Sequence, residues 1–326
     1  MRICVIFNPT AKGEKAKHFR HHLDQIGSQA SLKLTTGPDD ARRLAAEAVT
    51  EGFGTVVAAG GDGTVNEVLN GLADAPEGFE RTRLAVLPLG TVNVFARELA
   101  VPLKLEPAWR TILQGRETRI DLPSVEYRPV ADKEKASPPP GQAESTMPPR
   151  SVGSGNALPQ SESRRRHFAQ LAGAGLDARA VELVNWPLKK RIGMLAYIVA
   201  GLQALLGAPF KITAAGNNHS ATGGLVLIGN GRLYGGNFRV FPQANLNDGL
   251  LDVCVLPRVN WVTLIRCGPQ LLLRGTLPAS ATEVFQSEAV TLTCPLPAPL
   301  ELDGEWIGYV PARFSIVRSR LRVVVP

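Results

Sequence analysis

The sequence predicts an α/β protein in two parts: an N-terminal doubly wound parallel sheet with a phosphate loop, followed by a mainly antiparallel β-sandwich domain. Three observations carry that expectation. Residues 1–121 alternate apolar runs with helical patterns, the signature of parallel strands joined by crossover helices. Residues 122–326 change to short β-rich runs separated by turn signals. Between the third strand and its helix stand Gly60, Gly61, Asp62, Gly63 and Thr64, three glycines in four positions where a strand turns into a helix.

The first part reads in order as strands over 3–7, 31–34, 55–59 and 84–87, with helical patterns near 14–27, 39–51, 65–73 and 106–115. In the pattern at 65–73, Val65, Val68, Leu69 and Leu72 share one stripe. The second part contributes strands over 224–228, 250–256, 290–293, 314–317 and 321–325. Three loops, starting at Asn8, Gly60 and Pro88, leave the C-terminal ends of strands. In an open parallel sheet those ends share one edge, where ligands bind. The acidic motifs of the second part have no phosphate loop of their own, so the active site is expected between the two domains.

Composition fits an ordinary folded enzyme. The chain has 326 residues, 44% hydrophobic and 20% charged, enough to build two cored domains. Cys4, Cys254, Cys267 and Cys294 stand singly among apolar neighbours without paired spacing, so they read as reduced core or near-core residues and not as a zinc site. The N-terminus lacks the length and cleavage pattern of a signal peptide, and a cytoplasmic protein is expected. A net charge of +7 and a pI near 9.4 favour an anionic partner. No basic stripe interleaves with aromatics, so nucleic acid is not expected, which leaves nucleotide and membrane surface.

Two segments stand apart. Residues 131–163 hold six Pro, six Ser and three Gly among 33 positions, with Met147, Val152 and Leu158 the only large apolar side chains. Such a stretch buries too little surface to offset its ordering entropy, and it reads as a disordered insertion in the sandwich. Arg164, Arg165 and Arg166 close it, as the start of a solvated strand or as a contact for anionic headgroups. Residues 193–210 run for eighteen positions without a charge, but Gly201, Gln203, Gly207 and Pro209 interrupt them. A helix packed in the second domain fits better than a membrane span.

The chemistry centres on the glycine loop. Glycines at a helix N-terminus bring backbone amides and a partial positive charge to an anion, which suits phosphate. Asp62, in the middle of that loop, belongs there either as a helix cap or as a carboxylate that shares a metal ion or a hydroxyl proton with phosphate. His18, His21 and His22 fall at helical spacing and read as exposed histidines of a basic first helix.

The segments Asn8 to Gly13, Gly60 to Leu72 and Leu87 to Arg97 closely resemble the catalytic domain of the diacylglycerol kinase and sphingosine kinase superfamily, above all its bacterial soluble lipid kinases. Ala174 to Ala178, Gly229-Asn230, Asn245 to Leu250 and Leu302 to Glu305 resemble that family's later motifs in the same order, so only the insertion lacks a counterpart. The resemblance implies an ATP- and Mg2+-dependent kinase that phosphorylates a hydroxyl of a membrane lipid, diacylglycerol or sphingoid-like, at an anionic membrane surface. Peripheral association is expected with it, and a homodimer is compatible with it.

The resemblance also implies roles. Gly60, Gly61, Gly63 and Thr64 would bind the nucleotide phosphates, and Asn66 and Glu67 would close the pocket. Asp62 would work through magnesium. Thr91 and Thr35 match positions that contact nucleotide, and Asn8 and Lys12 support the same pocket, Lys12 alternatively being a solvated loop lysine. Glu305 matches the general base, with Asp303 orienting it, although Asp303-Gly304 alone is also a strong hairpin signal. Asp248, with backbone carbonyls of Asn245 and Leu250, matches a second, structural magnesium site. Val94 departs from the family, whose members often carry Asp there. Two alternatives stand beside this reading: an NAD-kinase-like enzyme sharing the glycine loop, and a lipid-binding or regulatory protein with reduced catalysis.

Overall fold

The computed structural model describes residues 2–9, 19, 28–129, 163–183, 203 and 209–326. The first part runs β1 (Ile3–Phe7), β2 (Ser31–Leu34), α1 (Asp40–Thr50), β3 (Thr55–Gly60), α2 (Asp62–Asp74), α3 (Gly78–Arg81), β4 (Arg83–Pro88), α4 (Val94–Glu98) and α5 (Leu105–Gln114). The second begins with β5 (Arg116–Pro129), β6 (Arg164–His167), β7 (Leu171–Gly175) and α6 (Leu176–Leu183). It continues through β8 (Ile212–Ala215), β9 (Ser220–Gly223), β10 (Leu225–Gly229), β11 (Leu233–Tyr234), β12 (Phe238–Arg239), β13 (Leu251–Leu256) and α7 (Trp261–Arg274). It closes with β14 (Glu283–Ser287), β15 (Ala289–Thr293), β16 (Pro299–Leu302) and β17 (Glu305–Val325).

β2, β1, β3 and β4 pair in parallel in that spatial order, as the alternating pattern predicts. Every position of β3 is buried, as expected where helices cover both faces of a parallel sheet. Val5, Val57, Leu69, Leu84, Phe95 and Ile112 lie in this first core. The second part is antiparallel. β14, β13, β10, β7 and β16 form one run, and β17 continues from it through the hairpin after Leu302. β5 and β15 flank β17, and together they enclose a second core around Val125, Phe168, Val253, Leu292 and Phe314. The rings of Phe168 and Phe314 meet edge to face at 6.0 Å.

The last strand ties the two sheets together. The patterns at 314–317 and 321–325 belong to one strand of 21 residues, whose register with β5 shifts between Val317 and Leu321. Beyond that shift Val323 pairs in parallel with Leu84, and Leu321, Val323, Val324 and Val325 pack in the first core. A division of the chain at 121/122 does not anticipate this return. The sequence pattern also passes over β5, which spans 14 residues, and α7. Lys12, the three clustered histidines, the helical pattern at 14–27 apart from Phe19, and the insertion apart from residue 163 lie outside the described residues, as does most of 193–210. Among the described residues no helix is long and apolar enough to cross a membrane. All four cysteines are free thiols, three of them buried.

The helix behind the glycine loop is fixed by a close approach. A Cβ on Gly71 of α2 would lie 2.1 Å from the Arg42 carbonyl oxygen and 2.7 Å from the Ala45 Cβ, both on α1. Backbone cannot give way cheaply, so Gly71→Ala should cost about 1–3 kcal/mol. Gly63→Ala, with nothing within 4 Å of its Cβ, should cost less. Urea unfolding of the two variants checks this, and equal midpoints would rule out the close approach.

Candidate active site

The register places the predicted loops in one row. Pro88 pairs with Gly60, Ala59 with Phe7, and Phe7 with Leu34, so the ends of β4, β3, β1 and β2 present Pro88, Gly60, Asn8 and Thr35 side by side. Three interstrand spacings make that row about 14 Å long. Thr35 is buried and its amide donates to the Phe7 carbonyl at 3.0 Å, which extends the ladder by one step. The next residue, Thr36, gives its amide to the side chain of Asp40, the first residue of α1, at 2.7 Å.

Two glycine loops touch. A Cβ on Gly90 would stand 2.5 Å from the Gly61 Cα, and the Leu89 and Gly90 amides donate to the Gly60 carbonyl at 3.0 and 3.2 Å. Asn93, in left-handed backbone with φ 55°, closes the second loop by accepting from the Gly90 amide at 3.0 Å and donating to its carbonyl at 2.7 Å. Thr64 packs on Gly60, where a Cβ would meet its Oγ1 at 2.3 Å. Gly63 and Thr91 are exposed on the open side.

Asp62 does not cap its own helix. Gly61 is the cap residue of α2 and supplies no side chain, whereas Asp62 Oδ1 accepts from the Phe95 amide, 3.2 Å away, in the first turn of α4. Burial raises the Asp62 pKa and the Asp303 charge adds to that, while the amides of residues 93 to 95 oppose it. Val94 therefore contributes backbone, not a second carboxylate, beside Asp62.

The second domain arrives through Asp303. Its carboxylate accepts from the Asn66 side chain at 2.7 Å and from the amides of Ala169, Gln170 and Leu171 at 2.8, 3.0 and 3.1 Å. Asn66 is buried, and its Oδ1 accepts from Arg166 at 2.8 Å, so this side chain faces the second domain and not the phosphate loop. Arg166 bridges onward to Glu305 at 2.7 Å, with the Glu305 side chain half exposed. Arg166 is thus turned into the site and is not a headgroup contact. Glu67 likewise points elsewhere: its carboxylate accepts from the Ala41 amide at 3.0 Å and caps α1, and burial raises its pKa.

The turn proposed for structural magnesium is built from oxygen. Asn245 Oδ1 accepts from the Asn247 amide at 3.1 Å and Asp248 Oδ1 from the Leu250 amide at 2.9 Å. Buried Asp121 anchors it by accepting from the Gly249 and Ser319 amides at 2.6 and 2.7 Å. Nearby, Asp252 Oδ2 is buried without a hydrogen-bond partner, and burial with the Asp248 charge pushes its pKa up to about 6. An all-oxygen donor set with a spare buried carboxylate oxygen suits a hard divalent cation. No cluster of three His, Cys, Asp or Glu side chains suited to a metal occurs among the described residues.

The diacylglycerol kinase catalytic domain family matches residues 2–125, and the YegS C-terminal NAD kinase beta sandwich-like domain matches residues 170–325. A diacylglycerol kinase of Bacillus subtilis (strain 168) is 29% identical over 336 residues, covering 100% of this chain and 96% of that protein. A protein of Stenotrophomonas maltophilia (strain K279a) described as "Probable lipid kinase YegS-like" is 31% identical over 331 residues, covering 99% and 95%. The chain belongs to the diacylglycerol kinase and YegS-like lipid kinase family. A crystal structure of a diacylglycerol kinase from Bacillus anthracis str. Sterne shares the fold, with a TM-score of 0.65, 17% identity and coverage of 100% and 97%. Another structure from that organism aligns with a TM-score of 0.72 at 19% identity.

In this lipid kinase family member, sequence reasoning read Arg166 only as part of a solvated strand or a headgroup contact, and passed over its place in the site and the partners of Asn66. Alternation along β6 puts Arg164 and Arg166 on one face, and the acidic Asp303-Gly304-Glu305 turn needs a counter-charge; together these were the available signal. It also passed over a buried carboxyl pair. A Cβ on Gly173 would lie 2.2 Å from Asp177 Oδ2 and 2.8 Å from Glu301 Oε1, so the two carboxyls adjoin. Tyr234 donates to Asp177, and Glu301 Oε2 accepts from the Gly304 amide at 2.7 Å. Burial and the Asp177 charge raise the Glu301 pKa well above the carboxyl range, which makes Glu301 the protonated partner and gives its otherwise unpaired Oε1 a role as donor.

A carboxyl whose folded pKa is raised contributes stability that is complete below its unfolded pKa, about 4.3, and is lost as pH climbs through the folded value. Glu301→Gln keeps a donor toward Asp177 and an acceptor for Gly304, so it should preserve stability near pH 5 and flatten the decline above it. Glu301→Ala should cost about 2–4 kcal/mol near pH 5 and less as pH rises. Thermal melts across that range decide, and parallel pH profiles for wild type and Glu301→Gln would refute a protonated Glu301.

Proposed function

We propose that this protein is an ATP-dependent lipid kinase that transfers the γ-phosphate to a hydroxyl of a membrane lipid, of diacylglycerol or sphingoid type. The observation that carries this reading is the junction of Asn66 with Asp303 and Arg166, which brings Glu305 of the second domain to the helix behind the glycine loop. The amides of Gly60, Gly61, Gly63 and Thr64 and the N-terminus of α2 would hold the nucleotide phosphates. Asn8, Thr35 and Thr91 border the same edge.

The lipid hydroxyl oxygen would attack the γ-phosphorus as the bond to the β–γ bridging oxygen breaks. Its proton would pass to the Glu305 carboxylate, and ADP would leave. Arg166 holds one Glu305 oxygen, which orients the carboxylate and leaves the other for the hydroxyl. Asp62 would hold the catalytic Mg2+, and Asp248 with the Asn245 and Leu250 carbonyls a structural one. The ion, when bound, supplies positive charge to the phosphate oxygens. Access to the substrate implies peripheral binding at an anionic membrane surface.

Labelled ATP supplied with a panel of diacylglycerol, a sphingoid base, phosphatidylglycerol and a polyprenol tests the activity directly. Transfer to none of them would overturn it. Asp62→Asn should abolish transfer while the melting curve stays unchanged, and activity within a few-fold of wild type would remove Asp62 from the mechanism. Glu305→Gln should lower kcat by roughly 10²–10⁴-fold with nucleotide affinity retained. An equal loss of ATP binding would make Glu305 a structural turn residue.

A further inference from the structure

Helix α7 breaks the rule that a surface helix turns its apolar stripe inward. Trp261, Val262, Ile265 and Leu273 are 50, 63, 72 and 85% exposed, so four of the nine exposed large apolar side chains among the described residues lie on this one helix of 14 residues. At 100° per residue they fall on one face, together with exposed Pro269, while Cys267 on the other side is buried. The ends of the helix are well defined. Asn260 caps it by accepting from the Thr263 amide at 2.9 Å, Gly275 ends it at φ 69°, and Val259 and Leu277 on either side pack against the cluster of Leu171, Leu227 and Phe241.

Its charge is one-sided. Positions 253–282 carry three arginines, Arg258, Arg266 and Arg274, all exposed, and no Asp or Glu. An exposed apolar face with a tryptophan and basic neighbours is the pattern of a helix lying in a bilayer interface, and fourteen residues are too few to span one. We propose that α7 is the membrane-docking element of this protein and seats its Trp261, Val262, Ile265 and Leu273 face on an anionic lipid surface. A second copy of the chain would fit the apolar face but would bring the same three arginines against each other without counter-charge.

The position of α7 gives docking a purpose. The Gly275 carbonyl at its end accepts from the Arg239 amide at 2.5 Å, and two residues earlier the Asn237 Oδ1 accepts from Arg97 at 2.9 Å. Arg97 in turn donates to the Val92 carbonyl at 2.8 Å, within the loop that packs on Gly61. A bilayer touching α7 is therefore connected through one short hydrogen-bonded path to the catalytic loops. This deepens the lipid-kinase reading and rests on it for the identity of the substrate, but docking can be measured without turnover.

The test is co-sedimentation of the full chain with phosphatidylcholine vesicles, with and without phosphatidylglycerol. The double variant Ile265→Ser/Leu273→Ser, at two exposed positions, should melt as wild type does yet bind anionic vesicles on the order of tenfold more weakly or worse. Arg266→Gln should weaken binding about fivefold on anionic vesicles and leave neutral ones unchanged. Unchanged binding by the double variant overturns the proposal, as does a wild type that ignores anionic vesicles. So does a wild-type dimer that the double variant dissociates while vesicle binding persists. Intact docking with no lipid phosphorylated would sink the kinase reading alone, whereas phosphorylation of detergent-dispersed lipid by a chain that does not dock would sink the docking alone.

Discussion

The carboxylate of Asp303 is the interaction on which the rest of the site depends. Asp303 and Gly304 both adopt left-handed backbone, φ 47° and 86°, and Leu302 pairs with Glu305 across them. That is the geometry of a two-residue hairpin, for which Asp-Gly is a preferred sequence. The hairpin and the functional readings of this triplet are thus one reading. Because the turn is tight, the Asp303 side chain is delivered to the start of β7, where it satisfies three consecutive amides, and to Asn66 on α2. Hydrogen bonds to a charged group are worth roughly 1.5–3 kcal/mol each. Loss of this carboxylate would leave amides at 169–171 without partners and remove one of the bonds that tie α2 to the second domain, beside those from Arg166 and His167.

Helix α2 is held on several sides, and each contact has a different cause. Gly71 admits the backbone of α1, Glu67 caps the N-terminus of α1, and Asn66 reaches the second domain. The N-terminal turn is left to the glycines and Asp62. Polar residues in the first turns of α2 thus serve as fixings, so that the amides at the loop need no side chain of their own to stay in place. Asp62 belongs to this scheme as well, because its bond to the Phe95 amide locks the two glycine loops together.

The parallel strands, the glycine loop and the row of loop starts were legible in the sequence, because burial on both faces and a strand-to-helix turn leave local patterns. Asn66, Arg166 and Glu301 were not. Their roles come from partners 100 or more positions away, as with Asn66 and Arg166, or from a neighbour exposed only by folding, as with Asp177. Glu67 looked like a pocket residue because it follows the loop directly, yet a helical position one turn on points to the neighbouring helix. Helix α7 escaped notice for a different reason. Gly268 and Pro269 interrupt its pattern, and its most apolar face looks outward, against the periodicity by which surface helices are recognised.

Charge at the junction constrains the chemistry further. Asp303 and Glu305 share the neighbourhood of Arg166, while burial above all raises the pKa of Asp62 and of Glu67, with the Asp303 charge adding to the first and the Glu305 charge to the second. On the proposed reading a bound polyphosphate would add several more negative charges close to these groups. Repulsion at such distances, in a partly desolvated cleft, amounts to several kcal/mol per pair at an effective dielectric of about 20. Backbone amides and one helix N-terminus, worth about half a charge, do not offset that. On the proposed reading a nucleotide in the row of loops would therefore need a divalent cation with its phosphates, and Asp62, part-buried and with its Oδ1 on a backbone amide, would be the carboxylate to meet that cation without first losing an ion pair.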